Sequence, residues 1–257
     1  MAEVRPAIVG AIFLIGTSLA CAAESDRSIQ ARLSSDRLGH LEPGRYLAGE
    51  KAEFELSPSG SNYLLRCSAS PEVFVVTADS APMGGRVLRY DSGETALQVS
   101  GWGGVTFYTD KDPEGLPAVR TGFAPPPSLP ATSSDDIQVA GEDLTAELAR
   151  SRRISIVFSV DRSSASGTSL VRARALDAME NIVRGVERLG RSVRSRQALS
   201  RKISSVMLTR GSTPAVKLSG KTLLITFNPD TGYQGRASSR AIASALGTLL
   251  GDRSKQG

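Results

Sequence analysis

Two rhythms of apolar residues divide the chain. Between Arg45 and Gly122 they alternate with polar residues in short runs, and glycine or proline interrupts every run. A period of two predicts β-strands. The predicted strands are Arg45–Ala48, Ala52–Leu56, Tyr63–Cys67, Val73–Thr77, Arg86–Tyr90, Thr95–Ser100 and Val105–Thr109. Connections this short leave no room for crossover helices, so the strands should pair antiparallel as hairpins and close into a small barrel or sandwich.

From Ile137 to Gly257 the apolar residues recur mostly every three or four positions, the period of an amphipathic helix. The predicted order is helix, strand, helix, helix, strand, strand, helix. A first helix runs from Glu142 to Arg150 and a strand from Ile154 to Val160. The clearest helix spans Ser169 to Leu189, because Leu176, Met179, Ile182, Val183, Val186 and Leu189 form one stripe behind a cap at Thr168 or Ser169. A basic helix from Arg191 to Lys202 follows, then a strand at Leu223–Phe227 and a last helix capped by Ser238 or Ser239 and stopped at Gly251. The fold class is therefore α+β: an antiparallel barrel or sandwich-like lobe at 45–122 and a helical α+β lobe at 137–257. Between them lies a Pro/Ser-rich linker, residues 123–136. Prolines 125, 126, 127 and 130 can hold neither a helix nor a central strand, so the linker should run extended and solvated.

Ahead of the first strand, residues 1–23 read as an address. Arg5 leads into the apolar run Ala7–Ala20, then Ala20-Cys21-Ala22 supplies small residues at a cleavage site, ahead of charged Glu24. The run of 14 residues falls short of the roughly 20 needed to span a bilayer as a helix, so the expectation is a signal peptide and an exported, periplasmic or secreted protein. Cys21 leaves an alternative open, a lipoprotein acylated at that cysteine. Ser18-Leu19-Ala20 sets its leucine one place nearer the cysteine than such signals prefer. If cleavage removes Cys21, only Cys67 remains, so no intrachain disulfide is available, and Cys67 reads as a small buried strand residue. Residues 24–44 form a polar arm.

Charge divides with the pattern. Residues 24–122 carry 10 Lys and Arg against 14 Asp and Glu, while residues 137–257 carry 20 against 9. Opposite signs predict attraction between the lobes, and the arginine-rich helix at 191–202 is a solvated face or a surface for anions. Export argues against nucleic acid as the partner and points to anionic envelope components or another envelope protein; membrane contact enters through acylated Cys21 or the basic helix. Catalytic sets are thin. One histidine, His40, cannot supply a Ser-His-Asp triad on its own, no Gly-x-Ser-x-Gly or Ser-x-x-Lys occurs, and Gly220-Lys221-Thr222 lacks the glycine of a phosphate-binding loop. No cofactor or metal site is predicted. The leading reading is a non-catalytic binding or structural module, ahead of a hydrolase built on two carboxylates. Its binding residues are expected where the lobes meet: Trp102, Tyr108 and Asp110 from the first lobe, Tyr233, Arg236 and Ser239 from the second. The aromatics would stack on a ligand and Arg236 would hold an anion beside the last helix cap.

Two motifs carry a resemblance. Gly103-Gly-Val-Thr-Phe-Tyr-Thr109 followed by Pro113, Gly115, Pro117 and Ala118 is one; Leu223-Leu-Ile-Thr-Phe-Asn-Pro229 leading to Gly232-Tyr-Gln-Gly-Arg236 and Ser238-Ser239 is the other. On these the chain resembles a family of exported proteobacterial proteins, the domain of unknown function 4908, with Ala237 standing where that family's pattern has proline. The resemblance covers nearly all of the processed chain and implies export and a shared fold, with no activity attached.

Overall fold

The computed structural model describes residues 40–251. The expected signal peptide, Cys21 and most of the expected polar arm lie outside the described residues.

The alternating half forms a closed antiparallel barrel. Its strands are β1 (Gly44–Ala48), β2 (Ala52–Ser59), β3 (Asn62–Cys67), β4 (Val73–Ser80), β5 (Arg86–Tyr90), β6 (Thr95–Val99), β7 (Val105–Phe107) and β8 (Leu116–Gly122). The inward positions of each alternation meet on the axis, where Tyr46 stacks on Phe54 with centroids 4.9 Å apart and Phe54 tilts against Phe107 at 4.6 Å. Leu56, Leu65, Val76, Leu88 and Leu97 fill the rest, all fully buried. The eighth strand is the one the sequence pattern missed, because Pro117 argues against a ladder. It closes the barrel all the same. Leu116–Ala118 pairs with β7, Ala118–Gly122 pairs with β1, and the Pro117 carbonyl accepts from Gly49 N–H at 2.9 Å. Proline lacks only a donor, and its acceptor is in use.

The second lobe is a four-stranded mixed sheet flanked by helices: α1 (Ser134–Arg152), β9 (Val157–Val160), α2 (Arg162–Ala165), α3 (Ser169–Leu189), α4 (Val193–Lys202), β10 (Ser205–Arg210), β11 (Ala215–Ser219), β12 (Thr222–Phe227) and α5 (Ser239–Leu250). The sheet order is β11-β12-β10-β9, with β10 parallel to both neighbours and β11 antiparallel to β12. The predicted stripe on α3 is core, and Met179, Ile182, Val183 and Val186 are buried with Ile225, Phe227, Ile242 and Leu246. Each lobe has its own cluster of buried apolar side chains.

Three boundaries differ from the pattern-based expectation. Helix α1 begins inside the presumed linker, because Ser133 and Asp136 form a capping box in which each side chain takes the other's backbone N–H. Strand β9 is shorter: Arg153 caps α1 in the left-handed conformation, and Ile154 and Ile156 are buried on the way to the sheet edge, before the ladder starts at Val157. Strand β11, with alternating half-buried and exposed positions, is a fourth strand where the pattern gave three in this lobe. The remaining linker is also less free than its composition implies. Ala124 and Thr132 are buried, and Thr132 donates its N–H to Ser169 Oγ at 3.0 Å while its carbonyl accepts from Arg172 Nε at 2.8 Å.

Helices α3 and α5 cross closely at Gly185, where an added Cβ would lie 2.6 Å from Ile242 Cγ2 and 3.1 Å from the Ser239 carbonyl oxygen. Gly185→Ala should therefore lower the melting temperature. The helix-propensity gain of about 1 kcal/mol is outweighed by overpacking of about 1–3 kcal/mol. Thermal unfolding followed by circular dichroism checks this, and an unchanged or raised midpoint would contradict it.

Candidate functional site

The N-terminus of α5 is where the lobes lock. The first N–H groups of a helix have no partner within it, and the aligned peptide dipoles favour negative charge there. Two carboxylates from barrel turns fill that need. Asp91, after β5, accepts the N–H of the cap residue Ser238 at 2.8 Å and also its hydroxyl; Glu72, before β4, accepts the N–H of Ser239 at 2.7 Å and its hydroxyl. Glu72, Ser238 and Ser239 are each under 3% exposed. Beside them Arg236 bridges three segments, pairing with Asp177 of α3, donating from Nη2 to the Val73 carbonyl at 2.8 Å and lying 5.5 Å over the Tyr233 ring.

Next to this lock an open cleft of about 710 Å³ separates the lobes. Its barrel side is built from Cys67, Phe74, Tyr90, Phe107 and the loop Tyr108–Asp112, and its helical side from Arg184, Glu187 and Arg188 of α3, with Arg191, Ser239 and Arg240. Asp110 is the focus of charge. It accepts from Arg188 and, at 2.5 Å, from Arg240, with Arg191 further off at 3.4 Å. Burial alone would raise the Asp110 carboxyl, but the guanidiniums of Arg240 and Arg188 outweigh it and hold it below the usual aspartate range. Arg240 is held from three sides, with one nitrogen to Glu94, another to Asp110 and its face 4.3 Å from the Tyr90 ring centroid. Arg191 is not: its side chain is 62% exposed and its contact to Asp110 is long. Nε of Arg188 and Nε of Arg240 are buried with no hydrogen-bond partner among the described residues. Burial pushes the Cys67 thiol, on the cleft wall, up to about 11, so it is protonated near neutral pH and a poor nucleophile.

Of the six residues expected at the meeting of the lobes, Asp110, Arg236 and Ser239 bridge them. Arg236 and Ser239 are buried with their polar atoms bound to protein partners, which makes them struts of the interface rather than groups open to a ligand. Tyr108 borders the cleft and its hydroxyl donates to Gln98 at 2.9 Å, away from the lock. Tyr233 lines a separate cavity of about 260 Å³ with Arg174, Asp177 and Pro127. Trp102 is 78% exposed in the β6–β7 turn. Sequence reasoning missed Glu72, Asp91, Asp177, Arg188 and Arg240, and it placed Arg191 on the basic helix without the cleft. The one signal pointing to any of them is the Ser-Ser-Arg at a helix start; isolated carboxylates in turns look like solvated ones, and here their partners lie 147 and 167 residues away. Among the described residues no group of three or more His, Cys, Asp or Glu is placed to hold a metal ion, and no helix is long and apolar enough to cross a membrane.

Two outcomes test this assembly. Arg236→Ala leaves Asp177, whose side chain is 11% exposed, without its cation, which should cost about 3 kcal/mol, and the double change with Asp177→Asn should recover part of it in denaturant titration; a neutral Arg236→Ala would contradict the strut. Glu72 supplies a pH signature. Burial raises its carboxyl above the usual glutamate range, with the Ser239 hydrogen bonds and the Arg236 and Arg184 charges offsetting only part of this. A raised carboxyl contributes stability that is fully present below its unfolded value and lost as pH rises through the folded one. Acidification from neutral should therefore stabilise the native protein relative to Glu72→Gln. Below the usual aspartate range both should weaken as Asp110 protonates, because a lowered carboxyl contributes above its unfolded value and loses that contribution as pH falls through the folded one. Melting midpoints of the two proteins across pH decide it, and parallel curves above the aspartate range would contradict the burial argument.

No curated protein and no solved structure matches this chain. A family model, Domain of unknown function (DUF4908), matches residues 26–246, which takes in the barrel, the cleft and the α5 lock. The chain belongs to that family.

Proposed function

We propose that the protein is a non-catalytic binding module of the cell envelope, exported under residues 1–23, whose interlobe cleft takes an anionic group. The observation that carries this reading is the convergence of Arg188, Arg191 and Arg240 on the single carboxylate of Asp110. Glu94 takes the other side of Arg240, so three guanidiniums face two carboxylates; the remaining positive charge lies at the mouth of the cleft, where Arg191 has donors to spare. Lys51 and Lys111 stand on the same rim. Supporting a binding role over carboxylate catalysis, Glu72 and Asp110 are both occupied by protein donors that oppose proton exchange with a substrate. An oxyanion on an envelope glycan or lipid headgroup fits this chemistry.

Calorimetric titration with inorganic phosphate and, separately, glucuronate tests the cleft and tells phosphate from carboxylate recognition. Arg191→Gln should weaken binding about ten- to a hundredfold, the loss expected for one charged hydrogen bond, while leaving the melting midpoint unchanged. Equal affinities would remove the cleft from the reading. Export is tested separately, by intact mass of the protein from separated cell fractions. A chain beginning at Ala23 or Glu24 in the soluble envelope fraction supports it, acylation at Cys21 makes the module a tethered one, and an uncleaved 27.1 kDa chain in the cytoplasm overturns it.

A further inference from the structure

The barrel's hairpin turns alternate between two ends. Those at residues 68–72, 91–94 and 108–115 meet the helical lobe. At the other end lie the turns 81–85 and 100–104 and the exit of β8. Each of these presents a large apolar side chain to solvent: Met83 is 85% exposed, Trp102 78% and Phe123 77%. The two turns are built rigidly against one another. Ala81 N–H donates to the Gly85 carbonyl at 2.9 Å, Ser100 N–H to the Gly104 carbonyl at 2.8 Å, and Gly101 sits so close to Met83 that an added Cβ would lie 2.2 Å from the Met83 carbonyl oxygen. Met83 itself adopts the left-handed conformation (φ 58°), unfavourable for a residue with a side chain. Backbone strain and glycine contacts thus hold two apolar side chains outward, where they gain nothing within the chain.

The path of the chain says what meets them. Residues 40–43 lead into β1 at this same end, where Arg45 pairs with Gly122 next to Phe123. Upstream lies the apolar run Ala7–Ala20, joined by residues 21–39, a tether of 19 residues that reaches at most about 65 Å. Whenever that run or an acylated Cys21 sits in a bilayer, the chain rises from it into the barrel through this end, which brings the tip within reach of the same surface. Arg86 starts β5 beside the Met83 turn, is exposed, and has no ion pair among the described residues. Tryptophan with apolar neighbours and an arginine is the composition that settles at the headgroup level.

We propose that this end is a membrane-docking tip. Met83, Trp102 and Phe123 enter the headgroup layer of the bilayer that receives the N-terminal segment, and Arg86 meets lipid phosphate. The helical lobe and its cleft then face away from the membrane, into the compartment. This does not depend on what the cleft binds.

The single tryptophan of the chain reports directly on the tip. The chain beginning at Ala23, which carries neither the apolar run nor Cys21, would be mixed with vesicles of phosphatidylcholine and phosphatidylglycerol, three to one. The expected result is a blue shift of tryptophan emission, quenching by lipids brominated along the acyl chain, and cosedimentation. Met83→Gly combined with Phe123→Ser should reduce partitioning at least tenfold. Glycine relieves the left-handed strain at position 83, so the variant should melt no lower than the parent and the loss would not reflect unfolding. Arg86→Gln should remove only the salt-sensitive part. No cosedimentation overturns the proposal. So does cosedimentation with unshifted tryptophan emission, which would assign binding to the basic helix α4, and so does a blue shift that grows with protein concentration in the absence of vesicles, which would make the tip a contact between copies of the chain.

Discussion

The structure depends on satisfying the bare N-terminus of one helix. Helix α5 begins with peptide N–H groups that its own hydrogen-bond ladder cannot use, and it begins at the boundary between two lobes with separate cores. Solvent could satisfy those groups. Instead Glu72 and Asp91 from the barrel each take a backbone N–H and a hydroxyl from consecutive serines, so the cap of a helix becomes the joint of the molecule. Burying a carboxylate is unfavourable unless its oxygens are bonded, and a helix N-terminus is one of the few places where uncharged backbone can do this. The arrangement requires both partners at once, and neither lobe alone supplies the environment that holds Glu72 buried.

Once that joint fixes the lobes, the charge asymmetry of the two halves acquires a geometry. The excess acid of the barrel is not spread over its surface against the helices; Asp110 and Glu94 converge on Arg240, and Asp110 draws Arg188 and Arg191 with it. The result is a polar cleft beside a lock whose Glu72, Ser238, Ser239 and Arg236 are buried. The cleft keeps the Arg191 guanidinium exposed, and that difference separates the residues that hold the structure from those that can meet a ligand. The far end of the barrel follows a different logic. There the backbone accepts strain and close glycine contacts to display Met83 and Trp102, opposite the surface through which the barrel joins the helices.

Much of the fold was legible in the sequence because its period reflects local geometry. Side chains that alternate across a strand or recur along one helix face are buried or exposed as sets, so seven barrel strands, the core stripe of α3 and the cap of α5 could be read from spacing and cap chemistry alone. The opposite charge of the halves was also in the sequence. Where a local signal misled, a tertiary partner had overruled it. Pro117 argues against a strand until β1 and β7 use its neighbours and its carbonyl. The Ser133–Asp136 capping box is different: it is a local signal, hidden in a stretch whose prolines dominated its composition.

The sequence by itself determined the two lobes, their secondary structure and the sign of their mutual attraction, since each is set by neighbours within a few residues or by a sum over many. Only the tertiary structure decided the roles of individual polar residues. Arg236 and Ser239 looked like ligand groups beside a helix cap and became struts, because Asp177, Val73 and Glu72 reach them first. Trp102, which the sequence placed with them, stands away from the lock, since adjacent hairpin turns emerge at opposite ends of a barrel. Contacts over such sequence distances depend on closure of the barrel and docking of α5, and no local pattern carries that information.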